Sequence, residues 1–215
     1  MKTSRVVVSL FAAAVATVSF ANVAKNQVAY VPPSLVDHPV FSWPIWKTIK
    51  LGTSGLRTAD DFRQAIKTNG CFIGPCANSI IEKPQFSPTP KEAELDLVMI
   101  SVAELGFGDG ATCVQIYMRA KELGLQLCPS DVAPQLRLQY TNQPNGEWLV
   151  IGTEPVNNGK SIGLFYVGRD SKGLFWLGGC YGSPGFVWDS SYTWIFVRPP
   201  DSAKDASSVL GKAGR

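Results

Sequence analysis

The carboxy-terminal half of the chain alternates short apolar segments with turn sequences. Polar turns rich in Asn, Asp, Ser and Gly separate apolar segments at 136–140, 148–151, 162–167 and 174–177. Residues of these types tolerate the positive φ angles that tight hairpins need, so strand-length segments joined by such turns predict antiparallel hairpins. We therefore expect an antiparallel β-meander of about four to five strands between Leu136 and Val197.

Two stretches of the amino-terminal half carry helix signals. Thr58 precedes a segment with acidic residues in its first turn and apolar residues on one face, which predicts a helix over 59–68. Apolar residues at helical spacing predict a second helix over 112–123, ended by the glycine that follows it.

A third apolar run has two interpretations. The run from Leu95 to Val102 follows Thr89-Pro90, a helix-start pattern, and its spacing favours a helix. Its partly β-branched composition also fits a buried strand. In either case the predicted fold class is α+β, with the meander packed against two or three helices.

The amino terminus has the pattern of a signal peptide. Lys2 and Arg5 precede the apolar stretch 6–18, and Ser19 and Ala21 offer small residues for cleavage. The stretch is shorter than the ~20 residues that cross a bilayer, which disfavours a retained anchor. We predict a cleaved signal peptide over 1–21, no membrane span after cleavage, and export to the periplasm or the medium.

The rest of the chain divides into three predicted parts. Residues 22–40, with Pro32-Pro33, form a linker, 41–199 form a single globular α+β domain, and 200–215 form a disordered tail. A length of 215 residues with 45% hydrophobic and 17% charged residues is typical of a globular protein. The formal charge is only +3 and the basic residues are scattered, which disfavours nucleic-acid binding.

Cys71 and Cys76 are close in sequence, and Gly74-Pro75 between them can turn the chain back. In an exported protein this spacing favours a small-loop disulfide, with unpaired buried thiols or a functional pair as alternatives. A zinc site needs more ligands than two cysteines supply. The chain has five cysteines, so at least one cannot pair within it.

Few catalytic arrangements fit the composition. The one histidine, His38, precedes the predicted domain, so Ser-His-Asp and Cys-His arrangements and histidine-ligated metals lack their central group. Carboxylate pairs such as Asp131 with Glu147, or Glu154 with Asp189, remain open, although no spacing brings either pair together.

A glycine-rich loop at 106–110 precedes a predicted helix, an arrangement that can bind phosphate. No strand-helix-strand unit surrounds it, so we interpret it as a connection. We expect no cofactor and no metal.

Aromatic residues concentrate after the glycines at 178–185. A glycine-rich loop that carries Tyr181, Phe186 and Trp188 could present a stacking platform to a sugar ring or a peptide, with Asp189 accepting hydrogen bonds. The alternative is that these rings fill the core, as the alternation of Trp194 and Phe196 predicts for a last strand.

One hairpin register would also place Arg137 near Trp148, with the guanidinium over the indole. A solvated charge at a sheet edge is the alternative interpretation of Arg137. The candidate binding residues are Arg137, Trp148, Tyr181, Trp188 and Asp189.

The stretch 122–155 resembles an uncharacterised family of small bacterial proteins. The resemblance is carried by Glu122–Pro129, Pro134–Tyr140 and Gln143–Leu149, with Ala133 where that pattern has glycine. It implies a shared domain and no particular activity.

The sequence therefore predicts a non-catalytic binding or interaction module of the cell envelope or extracellular space, with a protein or glycan partner. The alternative is a secreted, carboxylate-dependent glycan or cell-wall hydrolase.

Overall fold

The computed structural model describes residues 43–53, 55–157 and 162–200. These ranges cover most of the predicted domain. The signal peptide over 1–21, the linker over 22–40 and residues 201–215 of the tail lie outside the described residues and stay predictions. Within the described ranges, no helix has the length and apolar character needed to cross a membrane.

The described residues form four helices and ten strands. The helices are α1 (Ala59–Thr68), α2 (Pro75–Ile81), α3 (Cys113–Glu122) and α4 (Val132–Gln139). The strands are β1 (Lys47–Leu51), β2 (Phe72–Ile73), β3 (Ala93–Ser101), β4 (Ala111–Thr112), β5 (Trp148–Ile151), β6 (Val156–Asn157), β7 (Ile162–Arg169), β8 (Phe175–Tyr181), β9 (Val187–Trp188) and β10 (Thr193–Val197).

Seven strands form a mixed, curled sheet in the order β1-β3-β10-β5-β7-β8-β2, and β6 pairs with β7 beside it. Two neighbouring pairs are parallel, β10 with β5 and β8 with β2, and the other pairs are antiparallel. Strands β4 and β9 form a separate two-stranded sheet.

The predicted antiparallel meander of four to five strands with two or three helices is wrong. The last strand, β10, lies between β3 and β5, and the first half of the chain supplies β1, β2 and β3. A parallel pair is joined by a long crossover instead of a tight turn. The turn sequences that led to the prediction therefore identify the β7–β8 hairpin but not the strand order.

The predicted strand at 136–140 is wrong because this segment belongs to helix α4. Residues 132–137 are all buried, so the helix has no polar face that would reveal a helical period. Pro134 is compatible with helix because it lies in the first turn, where backbone N–H groups have no intrahelical partner.

The run from Leu95 to Val102 is not a helix. Residues 93–101 form β3, the alternative that its β-branched composition left open. Leu97 packs into the core on one side of the sheet, and Val98 and Ile100 pack into the core on the other. Packing of the strand's centre on both faces explains why residues 97–100 are apolar throughout.

The helices predicted over 59–68 and 112–123 are confirmed. Helix α1 spans 59–68, and α3 spans 113–122 within the predicted range. Thr58 and Thr112 each cap a helix by accepting a hydrogen bond from the backbone N–H three residues later. The side chains of Asp61 and Gln115 in turn accept a hydrogen bond from the backbone N–H of the cap residue.

The sheet has two differently covered faces. Helices α1, α2 and α4 cover one, here called the helical face, and bury residues such as Leu149, Phe165 and Leu177. Helix α3 and the β4–β9 sheet cover the other face over β3 and β10, where Trp194 and Phe196 are buried as predicted. This second face, here called the open face, is uncovered over β5, β7 and β8, where side chains are partly exposed.

Candidate binding groove

A groove of about 500 Å³ lies on the uncovered part of the open face. Five of its seven lining residues are aromatic, and they come from β5, β7, β9 and the two turns next to β9. The lining residues are Trp148, Val150, Tyr166, Gly179, Phe186, Trp188 and Tyr192.

The floor of the groove consists of two aromatic rings that lie on glycines of the neighbouring strand. Trp148 pairs with Gly168, where an added Cβ would lie 2.0 Å from the Cε3 atom of the indole. Tyr166 pairs with Gly178, where an added Cβ would lie 1.9 Å from the phenol Cζ atom. Only glycine permits this approach, so the two glycines allow both rings to lie against the sheet. The centroids of the two rings are 5.2 Å apart, edge to face.

The wall of the groove is a cluster of rings around Trp188. Its indole makes edge-to-face contacts with Phe186, Tyr192 and Trp194 at centroid distances of 5.0, 5.1 and 4.9 Å. Trp188 is almost fully buried, whereas Phe186 and Tyr192 are 44% and 43% exposed. The pairing of β9 with β4 holds Trp188 in place, since Trp188 lies opposite Ala111.

Polar groups at the groove are few. The Trp188 indole N–H is buried and has no hydrogen-bond partner in the structure. Asp189 follows Trp188 and is exposed, and its carboxylate accepts hydrogen bonds from the backbone N–H and the hydroxyl of Ser191. These bonds lower the pKa of Asp189, so it is ionised at neutral pH. None of the described lining residues carries a charge.

The structure brings two of the five predicted binding residues together in the groove, Trp148 and Trp188. The ring of Trp188 packs in the core cluster and also lines the groove, so this residue fits both the core and the surface interpretation. Asp189 is adjacent to it, and the side chain of Tyr181 lies outside the described residues.

Arg137 does not lie over Trp148, because it belongs to α4 and is buried on the opposite side of the sheet. One guanidinium nitrogen donates to the Gln143 side-chain oxygen at 2.6 Å and to the Gly168 carbonyl at 3.1 Å. The guanidinium also lies 4.4 Å from the centre of the Phe175 ring. The edge-charge alternative is wrong as well, and Arg137 instead supports the β7 backbone beneath the ring of Trp148.

Sequence reasoning did not select Tyr166 or the two glycines under the rings. The strand over 162–167 was predicted, and the burial of Phe165 on the helical face places its neighbour Tyr166 on the other. The sequence favours a loop at the glycines of β8. A glycine paired with an aromatic residue on the neighbouring strand is the signal that would have indicated a ring lying against the sheet.

The disulfide predicted between Cys71 and Cys76 is not formed in the structure, where both thiols are free. Gly74 and Pro75 do not form a turn between them, because Gly74 is the N-cap of α2 and Pro75 its first residue. Burial raises the pKa of both thiols, and for Cys71 the nearby Arg137 guanidinium opposes this shift.

The carboxylates considered for catalysis have other contacts. Asp131 is buried and accepts hydrogen bonds from the backbone N–H and the hydroxyl of Thr89 at 2.8 and 3.0 Å. Burial raises its pKa, and the bonds from Thr89 oppose the shift. The groove lining includes neither Asp131 nor Glu147 nor Glu154. Over the described ranges, no cluster of three or more His, Cys, Asp or Glu side chains could hold a metal.

Comparison with known proteins gives no match: no family model, no curated protein and no solved structure matches this chain. The resemblance over 122–155 therefore rests on those residues alone.

Proposed function

We propose that this protein is a non-catalytic binding module that holds a neutral glycan in the aromatic groove. The observation that carries the proposal is the seating of Trp148 and Tyr166 on glycines of the next strand, which presents rings on a rigid sheet. Binding sites on strands are more precise than sites on loops because the backbone beneath them is fixed.

The chemistry of the groove fits a sugar. A sugar ring has an apolar face of C–H groups and a rim of hydroxyls, so it can stack on an aromatic ring and hydrogen-bond at its edges. The lining supplies rings at several angles, and the exposed carboxylate of Asp189 follows Trp188 in the chain.

The charge of the groove favours a neutral ligand. A polyanion would be attracted by Lys or Arg side chains, and the described lining offers none. The lining also contains no carboxylate, imidazole or thiol, so it favours binding over the alternative of a carboxylate-dependent hydrolase. The proposed site of action, the cell envelope or the medium, depends on the signal peptide predicted over 1–21.

The test is cosedimentation of the full chain with insoluble chitin, cellulose and peptidoglycan, comparing wild type with Trp148→Ala. Trp148 is the suitable target because it is 43% exposed, whereas removal of the buried Trp188 would damage the core. Loss of one stacking ring costs about 1.4 kcal/mol, so we expect roughly tenfold weaker binding to at least one glycan.

Met118→Ala is the matched control, since Met118 is 61% exposed on α3 and does not line the groove. It should bind like wild type. The proposal fails if wild type binds none of the glycans, or if Trp148→Ala binds as tightly as wild type.

A further inference from the structure

Aromatic residues on the open face continue beyond the groove to the β2 edge of the sheet. Trp148 pairs with Gly168, Gly168 pairs with Trp176, and Trp176 pairs with Phe72. Residues directly opposite each other on adjacent strands point to the same face of a sheet. Because neighbouring strands are ~4.8 Å apart, this row runs for ~14 Å across four strands.

The outer end of the row is a pair of stacked rings. The Phe72 and Trp176 rings have centroids 5.0 Å apart and planes inclined by 27°. Phe72 is 45% exposed and Trp176 is partly exposed. The next residues, Ile73 and Leu177, pack into the core of the helical face, so the two rings face away from that core.

The turn between β7 and β8 fixes the orientation of Trp176. Its indole N–H donates to a carboxylate oxygen of Asp170 at 3.1 Å. The other oxygen of Asp170 accepts from the backbone N–H groups of Lys172 and Leu174, both at 2.9 Å. An exposed ring would otherwise lose rotamer freedom on binding, so holding it in place beforehand reduces the cost of binding a ligand.

We propose that Phe72 and Trp176 form a second stacking subsite, and that the ligand is an extended neutral glycan whose successive sugar rings lie from the groove to this pair. This inference rests on the proposed function and adds the length and direction of the ligand. The row of rings is continuous with the groove through Trp148, because the Trp148 indole lies on Gly168 and the next residue across the sheet is Trp176.

The position of the row favours a glycan over an extended peptide. A peptide that adds to a sheet binds unpaired backbone groups at an edge strand. The row lies on the face of the sheet, and three of its four strands, β5, β7 and β8, have a neighbouring strand on both sides, whereas β2, a strand of two residues, ends the sheet. A ligand there is held by ring stacking, which suits a chain of repeating rings.

The test is isothermal titration of the full chain with β-1,4-linked di-, tetra- and hexasaccharides of glucose and of N-acetylglucosamine. For the series that binds, wild type should bind the hexasaccharide at least tenfold more tightly than the disaccharide, since the longer ligand reaches both subsites. Trp176→Ala and Phe72→Ala should weaken hexasaccharide binding by about tenfold and leave disaccharide binding unchanged. Trp148→Ala should weaken both.

Failures of the two proposals are distinguishable. If affinity does not rise with ligand length, or if Trp176→Ala and Phe72→Ala leave hexasaccharide binding unchanged, the second subsite is wrong and the groove proposal stands. If neither series binds, the proposed function is wrong as well. Binding of a proline-rich peptide by a chain that binds no saccharide would replace the glycan with a peptide. Phe72→Ala removes an exposed side chain, so it tests the subsite even if Trp176→Ala does not fold.

Discussion

Gly168→Ala tests whether the close approach of the Trp148 ring to Gly168 is needed for binding. The added methyl would lie 2.0, 2.3 and 2.7 Å from three indole carbons, and each of these distances is far shorter than the 3.4 Å at which ordinary contact begins. The nearest atoms all belong to Trp148, whose ring is 43% exposed and can move towards solvent. We therefore expect the variant to fold with its indole displaced from the floor of the groove.

The effect on stability should be small. A tryptophan buries about 150–250 Å² when covered, and uncovering roughly a quarter to a half of that area costs about 1–3 kcal/mol at ~25 cal/mol per Å². Replacing glycine with alanine restricts the unfolded chain and returns about 0.4–1 kcal/mol. The net loss in the free energy of unfolding is therefore about 1–2 kcal/mol.

Binding should weaken as well, because the displaced ring no longer meets the ligand. Urea denaturation followed by circular dichroism gives the stability, and titration with the hexasaccharide gives the affinity, which should fall about tenfold. Gly108→Ala is the matched control, since an added Cβ at that loop glycine meets nothing within 4 Å. A Gly168→Ala protein that folds and binds the hexasaccharide as tightly as wild type would refute the reasoning.

Two further predictions concern the buried side chains of Arg137 in helix α4 and of Asp131, the N-cap residue of that helix. Arg137→Met removes the donor to the Gln143 side chain and to the Gly168 carbonyl. Each buried acceptor left unpaired costs about 1–3 kcal/mol, so urea denaturation should show the free energy of unfolding reduced by about 3 kcal/mol. Lys50→Met removes only the exposed ion pair with Glu94, so it should lose less than about 1 kcal/mol, and an equal loss in both variants would contradict the role given to Arg137. Burial raises the pKa of Asp131 in the folded state, so the folded chain holds this proton more tightly than the unfolded chain. The contribution of Asp131 to the free energy of unfolding should therefore fall as pH rises above the ordinary pKa of 3.8. Urea denaturation across pH should therefore show wild type losing stability relative to Asp131→Asn as pH rises, and the opposite trend would contradict the raised pKa.

The two helices and the hairpin that the sequence predicted correctly are stabilised by local interactions. Helices α1 and α3 begin at capping residues, Thr58 and Thr112, whose partners are three residues away. Strands β7 and β8 are joined by a short turn in which the Asp170 carboxylate binds two backbone N–H groups. In each case the interaction that stabilises the element lies within a few residues of it.

The elements that were predicted wrongly have apolar or buried segments without a readable period. Residues 132–137 of helix α4 are all buried, and the centre of strand β3 packs into both cores through Leu97, Val98 and Ile100, so neither segment shows a regular alternation of polar and apolar residues. The position of β10 between β3 and β5 depends on pairing across most of the domain, and no short pattern encodes it.

The sequence indicated that an aromatic surface could exist, but not which residues line it. The concentration of aromatic residues around Trp188 indicated a stacking surface or a core, and the structure shows Trp188 in both. The meeting of Trp188 with Trp148 depends on the pairing of β9 with β4, and that of Trp148 with Tyr166 depends on the register of β5 and β7. The sequence alone does not specify these long-range pairings.

Binding on the open face can be observed residue by residue in a titration of the full chain with the hexasaccharide, followed by NMR through the indole N–H signals of its tryptophans. We expect the signals of Trp148, Trp176 and Trp188 to shift, because these residues line the groove or its extension. The signal of Trp46, which packs against Tyr140 and the core of the helical face, should stay unchanged. Shifts confined to Trp46, or no shift in any of the four, would contradict binding on the open face.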